Sequence, residues 1–84
     1  MGIVMRAYVL IETAVGKAMA AERGIQGLDL TDTKTLSVDV VTGPYDMIVQ
    51  LESADLDKLG QAILTMQQVE GLQRTTTCLV VRLS

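Results

Sequence analysis

Several residue types on which enzymes and metal sites depend are missing or rare in this sequence. The 84 residues include no histidine, no tryptophan and no phenylalanine, and the one cysteine is Cys78. Without histidine, neither a typical zinc site nor a nucleophilic Cys-His pair can form, and one cysteine cannot close an internal disulfide. The composition therefore counts against catalysis and metal binding, and it indicates a cytoplasmic protein that needs no cofactor.

Positive charge is scarce too. Seven lysine and arginine residues stand against ten aspartate and glutamate residues, for a net charge of −3. The cations are spread along the chain and form no stripe that could neutralise phosphates. The apolar run near the start, Ala7–Ile11, is far too short to cross a bilayer or to form the core of a signal peptide. We therefore expect no direct contact with nucleic acid or with a membrane.

Aliphatic side chains, in contrast, are abundant. Hydrophobic residues make up 49% of the chain, although the only aromatic residues are two tyrosines. A chain of this length buries a limited fraction of its surface, and this one carries more apolar area than a small monomer conceals. We predict a single domain over residues 1–84 that assembles with further copies of itself.

One pattern, strand, helix and strand, occurs twice along the chain. The predicted elements are a strand at Ile3–Glu12, a helix at about Ala14–Arg23, strands at Thr35–Thr42 and Met47–Glu52, a helix at Asp55–Val69 and a strand at Gln73–Leu83. The end of the first helix is predicted to lie anywhere from Arg23 to Gln26. This order, β-α-β-β-α-β, is that of the α+β ferredoxin-like fold. It predicts a four-stranded antiparallel sheet with both helices on one face.

Alternation along the strands assigns each residue to one of the two faces of the sheet. The predicted helix-facing residues are Ile3, Met5, Ala7, Val9, Ile11, Leu36, Val38, Val40, Met47, Val49, Leu51, Leu79, Val81 and Leu83. The opposite face, called the open face below, collects Val4, Arg6, Tyr8, Leu10, Glu12, Ser37, Asp39, Val41, Ile48, Gln50, Glu52, Thr76, Cys78, Val80 and Arg82. Because the open face is half apolar, we predict that two copies pack through it; the alternative is a solvated face, which is common in antiparallel sheets.

The helices are predicted to cover the sheet and to carry no site of their own. The apolar stripe of the second helix comprises Leu56, Leu59, Gly60, Ile63 and Met66, and that of the first comprises Ala14, Ala18, Ala21 and Ile25. The stretch Gly27–Lys34 leaves room for a short extra strand or helical turn. Its carboxylates, Asp29 and Asp32, lack the additional oxygen ligands that a metal needs, so we expect them to be solvated.

A polar turn joins the two middle strands. Gly43 permits a backbone conformation closed to other residues, Pro44 fixes its own φ, and Asp46 can accept bonds from nearby amides. Tyr45 places an amphipathic ring at this corner, where its hydroxyl can meet a ligand or a neighbouring subunit. The turn is a candidate binding site. The alternative is that these residues form a stable hairpin and have no binding role.

Three consecutive threonines near the C-terminus form the second candidate segment. Alternation sends Thr76 to the open face and sends Thr75 and Thr77 to the helix-facing side. Hydroxyls both donate and accept hydrogen bonds, which suits the carboxylate and ammonium of an amino acid. As β-branched residues, the threonines also favour a strand without any binding role.

Three motifs in this order resemble the effector-binding domain, or RAM domain, of the Lrp/AsnC regulators. They are Arg6–Ile11, the turn Val41–Asp46, and Arg74–Val81. The resemblance covers essentially the whole chain. Full-length members of the family carry a helix-turn-helix domain before this one, so the sequence resembles a stand-alone form of the domain.

The resemblance implies a ferredoxin-like homodimer, commonly built into an octamer of four dimers, that binds an amino acid or a related metabolite in clefts between dimers. It places Gly43, Tyr45 and Asp46 at the cleft, with Pro44 at the variable position of the turn. Thr75 and Thr77, and less firmly Thr76, are implied to contribute as well. Such a module either senses an amino acid or joins full-length Lrp/AsnC regulators in mixed rings. The stretch Gly24–Lys34 departs from the family pattern, since it is longer than usual and lacks Pro-Gly-Val.

An alternative outside this family is a small dimeric ferredoxin-like enzyme of the monooxygenase or isomerase type. Such a site needs an acid or a base in a dry pocket. The candidates on the open face are Asp39, Glu52 and Tyr8, while Cys78 has no activating base and is expected to be an ordinary strand residue. We predict that the chain is not an enzyme, and the sequence identifies neither the ligand nor the final oligomer size.

Overall fold

A computed structural model describes residues 4–81 and contains six regular elements within that range. They are β1 (Met5–Thr13), α1 (Ala18–Gln26), β2 (Thr33–Val40), β3 (Met47–Ser53), α2 (Leu56–Met66) and β4 (Leu72–Leu79). The strands form one sheet in the order β2-β3-β1-β4, and every neighbouring pair is antiparallel. The predicted ferredoxin-like order and the four-stranded antiparallel sheet are confirmed.

The core lies between the helices and the predicted helix-facing side of the two central strands. It comprises Ala7, Val9 and Ile11 of β1, Met47, Val49 and Leu51 of β3, Ala21 and Ile25 of α1, and Leu59, Ala62 and Met66 of α2, none more than 4% exposed. Fully burying one of the larger aliphatic side chains stabilises a fold by about 1.5–3 kcal/mol. The period-two pattern therefore identified the face that drives folding, while Ile3, Arg82 and Leu83 lie outside the described residues.

Helix α1 begins later than predicted, at Ala18 and not at Ala14. The intervening residues form a turn in which Gly16 has a φ of 76°, a conformation outside the helical region. The amide of Ala14 donates instead to the carbonyl of Gly71 at 2.8 Å, which ties this turn to the segment before β4. The helix then continues to Gln26, the last position of the predicted range for its end.

Helix α2 is shorter than predicted, and its buried stripe is shifted. The helix begins after Asp55, whose Oδ1 accepts from the amide of Lys58 at 2.8 Å and so caps it. Its buried residues are Leu59, Ala62 and Met66. Leu56 is 58% exposed and Gly60 is also exposed, so the prediction that these two residues belong to the covered stripe was wrong.

Strand β2 contains an irregularity that the alternating pattern did not predict. Its register against β3 shifts between Thr35 and Ser37, which leaves Leu36 without a cross-strand partner, as in a β-bulge. Thr35 takes the helix-facing position opposite Leu51, and Leu36 is 37% exposed. The assignment of Leu36 to the core is therefore corrected, whereas Val38 lies opposite Val49 as expected.

The side chains of β4 face the predicted sides of the sheet, but the residues predicted to lie in the core there are exposed. Leu79 lies opposite Ala7 on the helix-facing side, yet it is 44% exposed. Val81 follows the end of the strand and is exposed as well. Since β4 is at the edge of the sheet and the helices pack mostly over β2 and β3, this part of the predicted core is uncovered.

The stretch Gly27–Lys34 contains no extra strand or separate helical turn. Helix α1 ends just before it, at Gln26, and β2 begins at Thr33. Between them, Leu28 and Leu30 are partly buried against the core, so these two leucines extend the core beyond the end of the helix.

Candidate functional site

The turn between β2 and β3 is held by hydrogen bonds of its last residue. Gly43 has a φ of 133°, which a residue with a Cβ rarely adopts, and the amide of Val41 donates to the carbonyl of Asp46 at 2.9 Å. Gly43 and Pro44 form the exposed tip, while Tyr45 and Asp46 are half-buried. The corner is fixed by the backbone, as the sequence predicts.

Asp46 joins this turn to the end of β1. Its amide donates to the carbonyl of Ile11 at 2.8 Å, and its Oδ2 accepts from the amide of Thr13 at 2.8 Å. A carboxylate that accepts from a backbone amide forms a short, charge-assisted bond. Asp46 therefore acts first as a positioning residue that fixes where the turn lies beside the sheet.

The threonine segment lies in β4 on the other side of β1. Thr75 is opposite Ile11, Thr76 is opposite Leu10, and Thr77 is opposite Val9. Because β1 residues with odd numbers face the helices, Thr75 and Thr77 share that face and Thr76 lies on the open face. This is the distribution that alternation predicts.

The fold brings one threonine close to the turn and leaves the other two farther away. Asp46 contacts Ile11 from the β3 side, and Thr75 pairs with the same residue from the β4 side. Neighbouring strands are about 4.8 Å apart, so Asp46 and Thr75 are separated by roughly 10 Å across β1. Thr77 lies farther along β4, and the side chain of Thr76 is on the opposite face.

Sequence reasoning missed Gln67, the residue that follows α2. Its Nε2 donates to Oγ1 of Thr75 at 2.8 Å, so the end of the helix is linked to the start of β4. An open hollow of about 370 Å³ is lined by Gln67, Leu72, Gln73, Arg74 and Thr75. A glutamine beside a helix end carries no distinctive pattern, and no signal in the sequence connects it with Thr75.

A second hollow, of about 440 Å³, lies at the opposite end of the sheet and was not predicted. Its lining consists of Val4, Leu30, Asp32, Thr33, Lys34, Glu52, Ser53 and Ala54. The buried hydroxyl of Ser53 is within 2.9 Å of Oγ1 of Thr33, so it already has a partner. None of the predicted binding residues lines this hollow.

The open face is mixed in character, as predicted. Tyr8 and Val80 are 41% and 43% exposed, and Leu10 and Ile48 are half-buried. The exposed Cys78 lies opposite Tyr8. Apolar surface therefore runs across three neighbouring strands.

Polar interactions on the same face involve the residues considered for an enzyme. Glu52 pairs with Arg6 at 3.1 Å, and the hydroxyl of Tyr8 accepts from Nε2 of Gln50 at 3.2 Å. Asp39 is exposed. Along residues 4–81, these candidates for an acid or a base are not gathered in one cavity.

The acidic residues of the stretch before β2 do not combine into a metal site. Asp29 and Asp32 are exposed, and within the described residues no group of three or more side chains among histidine, cysteine, aspartate and glutamate could hold a metal ion. Neither helix of the described chain has the length and apolar character needed to cross a membrane.

Fold and site together define an α+β domain in which the edge strand β4 and the end of α2 border an open hollow, with the turn between β2 and β3 on the other side of β1. The family model of the Lrp/AsnC ligand-binding domain matches residues 6–83. The chain belongs to the Lrp/AsnC ligand-binding domain family, which confirms the resemblance seen in its motifs. It is a ligand-binding domain of the kind found in transcriptional regulators.

Solved structures share the fold along nearly the whole chain. TTHA0845 from Thermus thermophilus is 28% identical with a TM-score of 0.82, and the match covers 95% of this chain and 96% of that one. E. coli AsnC is 18% identical with a TM-score of 0.81, covering 93% of this chain and 51% of that one. The transcriptional regulator NMB0573 from Neisseria meningitidis, solved as a complex with L-Met, is 17% identical with a TM-score of 0.78, covering 94% and 51%.

This chain thus spans nearly the full length of the Thermus protein and about half the length of AsnC and NMB0573. No curated protein matches it significantly.

Proposed function

We propose that this domain is a regulatory module that binds an amino acid or a related small metabolite at the end of the sheet where the turn and the start of β4 flank the end of β1. The observation that carries the proposal is the convergence of two candidate segments on one residue. Asp46 donates to the carbonyl of Ile11, while Thr75 pairs with Ile11 from the other side. The L-Met complex of NMB0573 supports the ligand class.

Within this site the turn supplies most of the contacts. Gly43 and Pro44 are exposed and Tyr45 is half-buried, so the tip of the turn and the tyrosine hydroxyl are offered to the ligand. Thr75 contributes its hydroxyl from β4, with Thr77 next to it on the same face. Thr76, on the open face, reaches a ligand only where another copy of the chain covers that face.

The experiment is a titration of the chain with each of the twenty amino acids, L-methionine first, followed by isothermal calorimetry and by amide NMR shifts. We expect saturable heat from at least one amino acid and shifts centred on the turn and the start of β4. Saturable binding with amide shifts only at the other end of the sheet would show that the ligand binds there and not beside the turn. Uniform absence of heat and of shifts would refute amino acid binding.

We further propose that two copies pack through the open face and that the dimers build higher rings, up to four dimers. The support is the exposed apolar surface formed by Tyr8, Leu10, Ile48 and Val80, which a second copy would remove from water. A two-fold contact of this kind is self-complementary, since the same patch serves both subunits.

Sedimentation of a charged variant tests this assembly. Leu10→Lys places an ammonium in the centre of the proposed interface, and we expect a monomer at concentrations where the parent chain is a dimer or larger. Leu64→Lys is the matched control, because Leu64 is 63% exposed on α2, away from the open face. A parent chain that is a strict monomer, or a Leu10→Lys variant with unchanged mass, contradicts the proposal.

Regulation of transcription is proposed to follow from shared assembly with full-length Lrp/AsnC proteins in the cytoplasm. The similarity of this chain to about half of AsnC and of NMB0573 supports such mixed rings. We infer that the module is not an enzyme, since its family is one of regulator domains and the described acids do not share an enclosed pocket. Co-purification of a full-length family member with the tagged chain is the expected result, and recovery of the chain alone argues against mixed rings.

A further inference from the structure

Two exposed apolar ridges lie on the helices, outside the folded core and outside the proposed binding site. The first consists of Val15, in the turn before α1, and Met19, in the first turn of that helix; they are 101% and 65% exposed. The turn is held by its backbone, since the amide of Lys17 donates to the carbonyl of Ala14 at 3.0 Å. Arg23, four residues after Met19 and therefore on the same side of α1, is exposed as well. This surface, called the α1 ridge below, presents two apolar side chains followed by a cation.

The second ridge runs along α2 and has a gap at its centre. Leu56, Gly60 and Leu64 are spaced by four residues and so lie along one side of the helix. Both leucines are exposed, and a Cβ on Gly60 would meet open space. The stretch before β2 borders another side of α2, where it forms a small cavity with Thr65. The α2 ridge therefore presents two apolar side chains with a gap between them.

The two ridges carry opposite charge. Asp57, next to Leu56 in the first turn of α2, is exposed, whereas the α1 ridge ends in Arg23. Neither residue forms an ion pair with another residue of the described range. Surfaces of complementary shape and charge at different places on one chain favour a contact between different copies of that chain.

From this complementarity we infer that the α1 ridge of one copy packs antiparallel on the α2 ridge of the next copy. The inference names the surface that joins dimers in the proposed rings, and it rests on that part of the proposed function. Met19 enters the gap above Gly60, because its flexible thioether side chain fits irregular gaps. The glycine contributes by letting the two helices approach closely.

The remaining contacts follow from the spacing of the ridges. Both repeat every four residues, and ridges of this kind interlock in the commonest class of helix packing. In the antiparallel orientation Val15 then lies against Leu64, and the guanidinium of Arg23 lies beside the carboxylate of Asp57. The first contact removes apolar surface from water, and the second pairs opposite charges at the edge of the interface.

This contact joins two different surfaces, so it is heterologous and each copy uses its two ridges on two different neighbours. Repetition of a heterologous contact gives a ring if the rotation closes and a filament if it does not. The open face lies on the other side of the sheet and stays available for the two-fold contact of the dimer. One helix contact of this size is weak by itself, but closure of a ring makes several act together.

Sedimentation velocity of the full chain over a range of concentrations tests the contact, with far-UV circular dichroism to verify that each variant is folded. We expect the parent chain to form species larger than a dimer. Met19→Asp places a carboxylate in the gap, and Gly60→Leu fills the gap with a better helix former; both variants should sediment as dimers. Leu64→Lys leaves the open face unchanged and should also stop at the dimer.

A charge exchange tests whether Arg23 and Asp57 meet directly. Arg23→Asp and Asp57→Arg each bring like charges together and should weaken association of dimers by about threefold or more. The two changes in one chain should restore the association, a rescue that a general loss of stability does not explain. Thr65→Arg is the matched control, because it adds an arginine at an exposed position of α2 outside the ridge, and it should assemble like the parent chain.

The outcomes separate this contact from the rest of the proposed function. If the parent chain forms rings and Met19→Asp and Gly60→Leu form them as readily as Thr65→Arg does, the helix contact is wrong while the rings stand. A parent chain that stops at the dimer at every concentration refutes both the helix contact and the rings, and leaves the open-face dimer and amino acid binding in place. Failure of the double exchange to restore association would refute the register in which Arg23 meets Asp57.

Discussion

Removing the carboxylate of Asp46 tests whether this residue fixes the candidate site in place. The change Asp46→Ala deletes the acceptor for the amide of Thr13, which is bonded at 2.8 Å in a partly buried position. The two backbone bonds of Asp46, to Ile11 and from Val41, are left intact. The substitution therefore isolates one side-chain contact between the turn and β1.

The expected loss can be estimated from this contact alone. A hydrogen bond to a charged group contributes about 1.5–3 kcal/mol, and a partly buried donor left unpaired adds to the cost of its removal. We therefore expect Asp46→Ala to lower the free energy of unfolding by about 2 kcal/mol. Asp46→Asn keeps an oxygen acceptor without the charge, and since neutral bonds are roughly half as strong, it should lose about 1 kcal/mol.

Urea unfolding at one fixed protein concentration measures these differences, because assembly makes the apparent stability depend on concentration. Asp39→Ala is the matched control, since Asp39 is an exposed aspartate on β2 and should change the stability by no more than about 0.5 kcal/mol. Hydrogen exchange adds a local measurement. In Asp46→Ala the amide of Thr13 should exchange faster, whereas the amide of Asp46 should keep most of its protection.

Two results would refute this reasoning. One is an Asp46→Ala chain as stable as Asp39→Ala, which would mean that the contact contributes nothing measurable. The other is unchanged protection of the Thr13 amide, which would show that the amide is not bonded to the carboxylate in solution. Equal losses for the alanine and asparagine variants would assign the effect to the charge.

The remaining predictions concern packing and backbone, with thermal or urea unfolding as the measurement. A Cβ on Gly24 would lie 2.5 Å from Cγ1 of Val69, so Gly24→Ala should destabilise by about 1–3 kcal/mol, whereas Gly60→Ala, which meets open space on α2, should stabilise by about 0.5–1 kcal/mol; equal effects would contradict the packing at Gly24. Gly43→Ala should cost about 1–3 kcal/mol because its φ is 133°, and a neutral result would show that the turn adopts another conformation. Met66→Ala should cost about 2–5 kcal/mol since Met66 is fully buried, against about 0.5 kcal/mol or less for the exposed Leu64→Ala; similar losses would place Met66 outside the core.

Local patterns predicted most of the fold. The odd-numbered residues of β1 from Met5 to Ile11 are apolar, and a strand that slipped by one residue would turn Arg6, Tyr8 and Glu12 into the core. The register of β1 follows from this, and so does the side on which the helices pack. Thr75 and Thr77 could be separated from Thr76 for the same reason.

Predictions failed where a neighbour outside the local segment decided the outcome. The bulge at Leu36 depends on the pairing with β3, and the exposure of Leu79 depends on how far the helices extend over β4. The early residues of the first helix were misassigned because Ala14 bonds to Gly71, far away in the sequence. None of these partners is visible in a window of a few residues.

The candidate site, too, was predictable in part from the sequence and in part only from the fold. Its residue types could be selected from the sequence, because glycine, proline and aspartate have strong local preferences in turns. Their convergence could not, since Asp46, Ile11 and Thr75 come from three distant segments. Gln67 was missed for the same reason.

The sequence by itself determined the order of elements, the buried face of the sheet and the chemistry of the turn, since side-chain periodicity and backbone preference act between near neighbours. Tertiary structure alone decided which of these residues meet at the end of β1, because only the completed sheet carries β3 and β4 to opposite sides of that strand. The helix-facing side of β4 stays uncovered for a similar reason, namely that the helices lie over the other edge of the sheet.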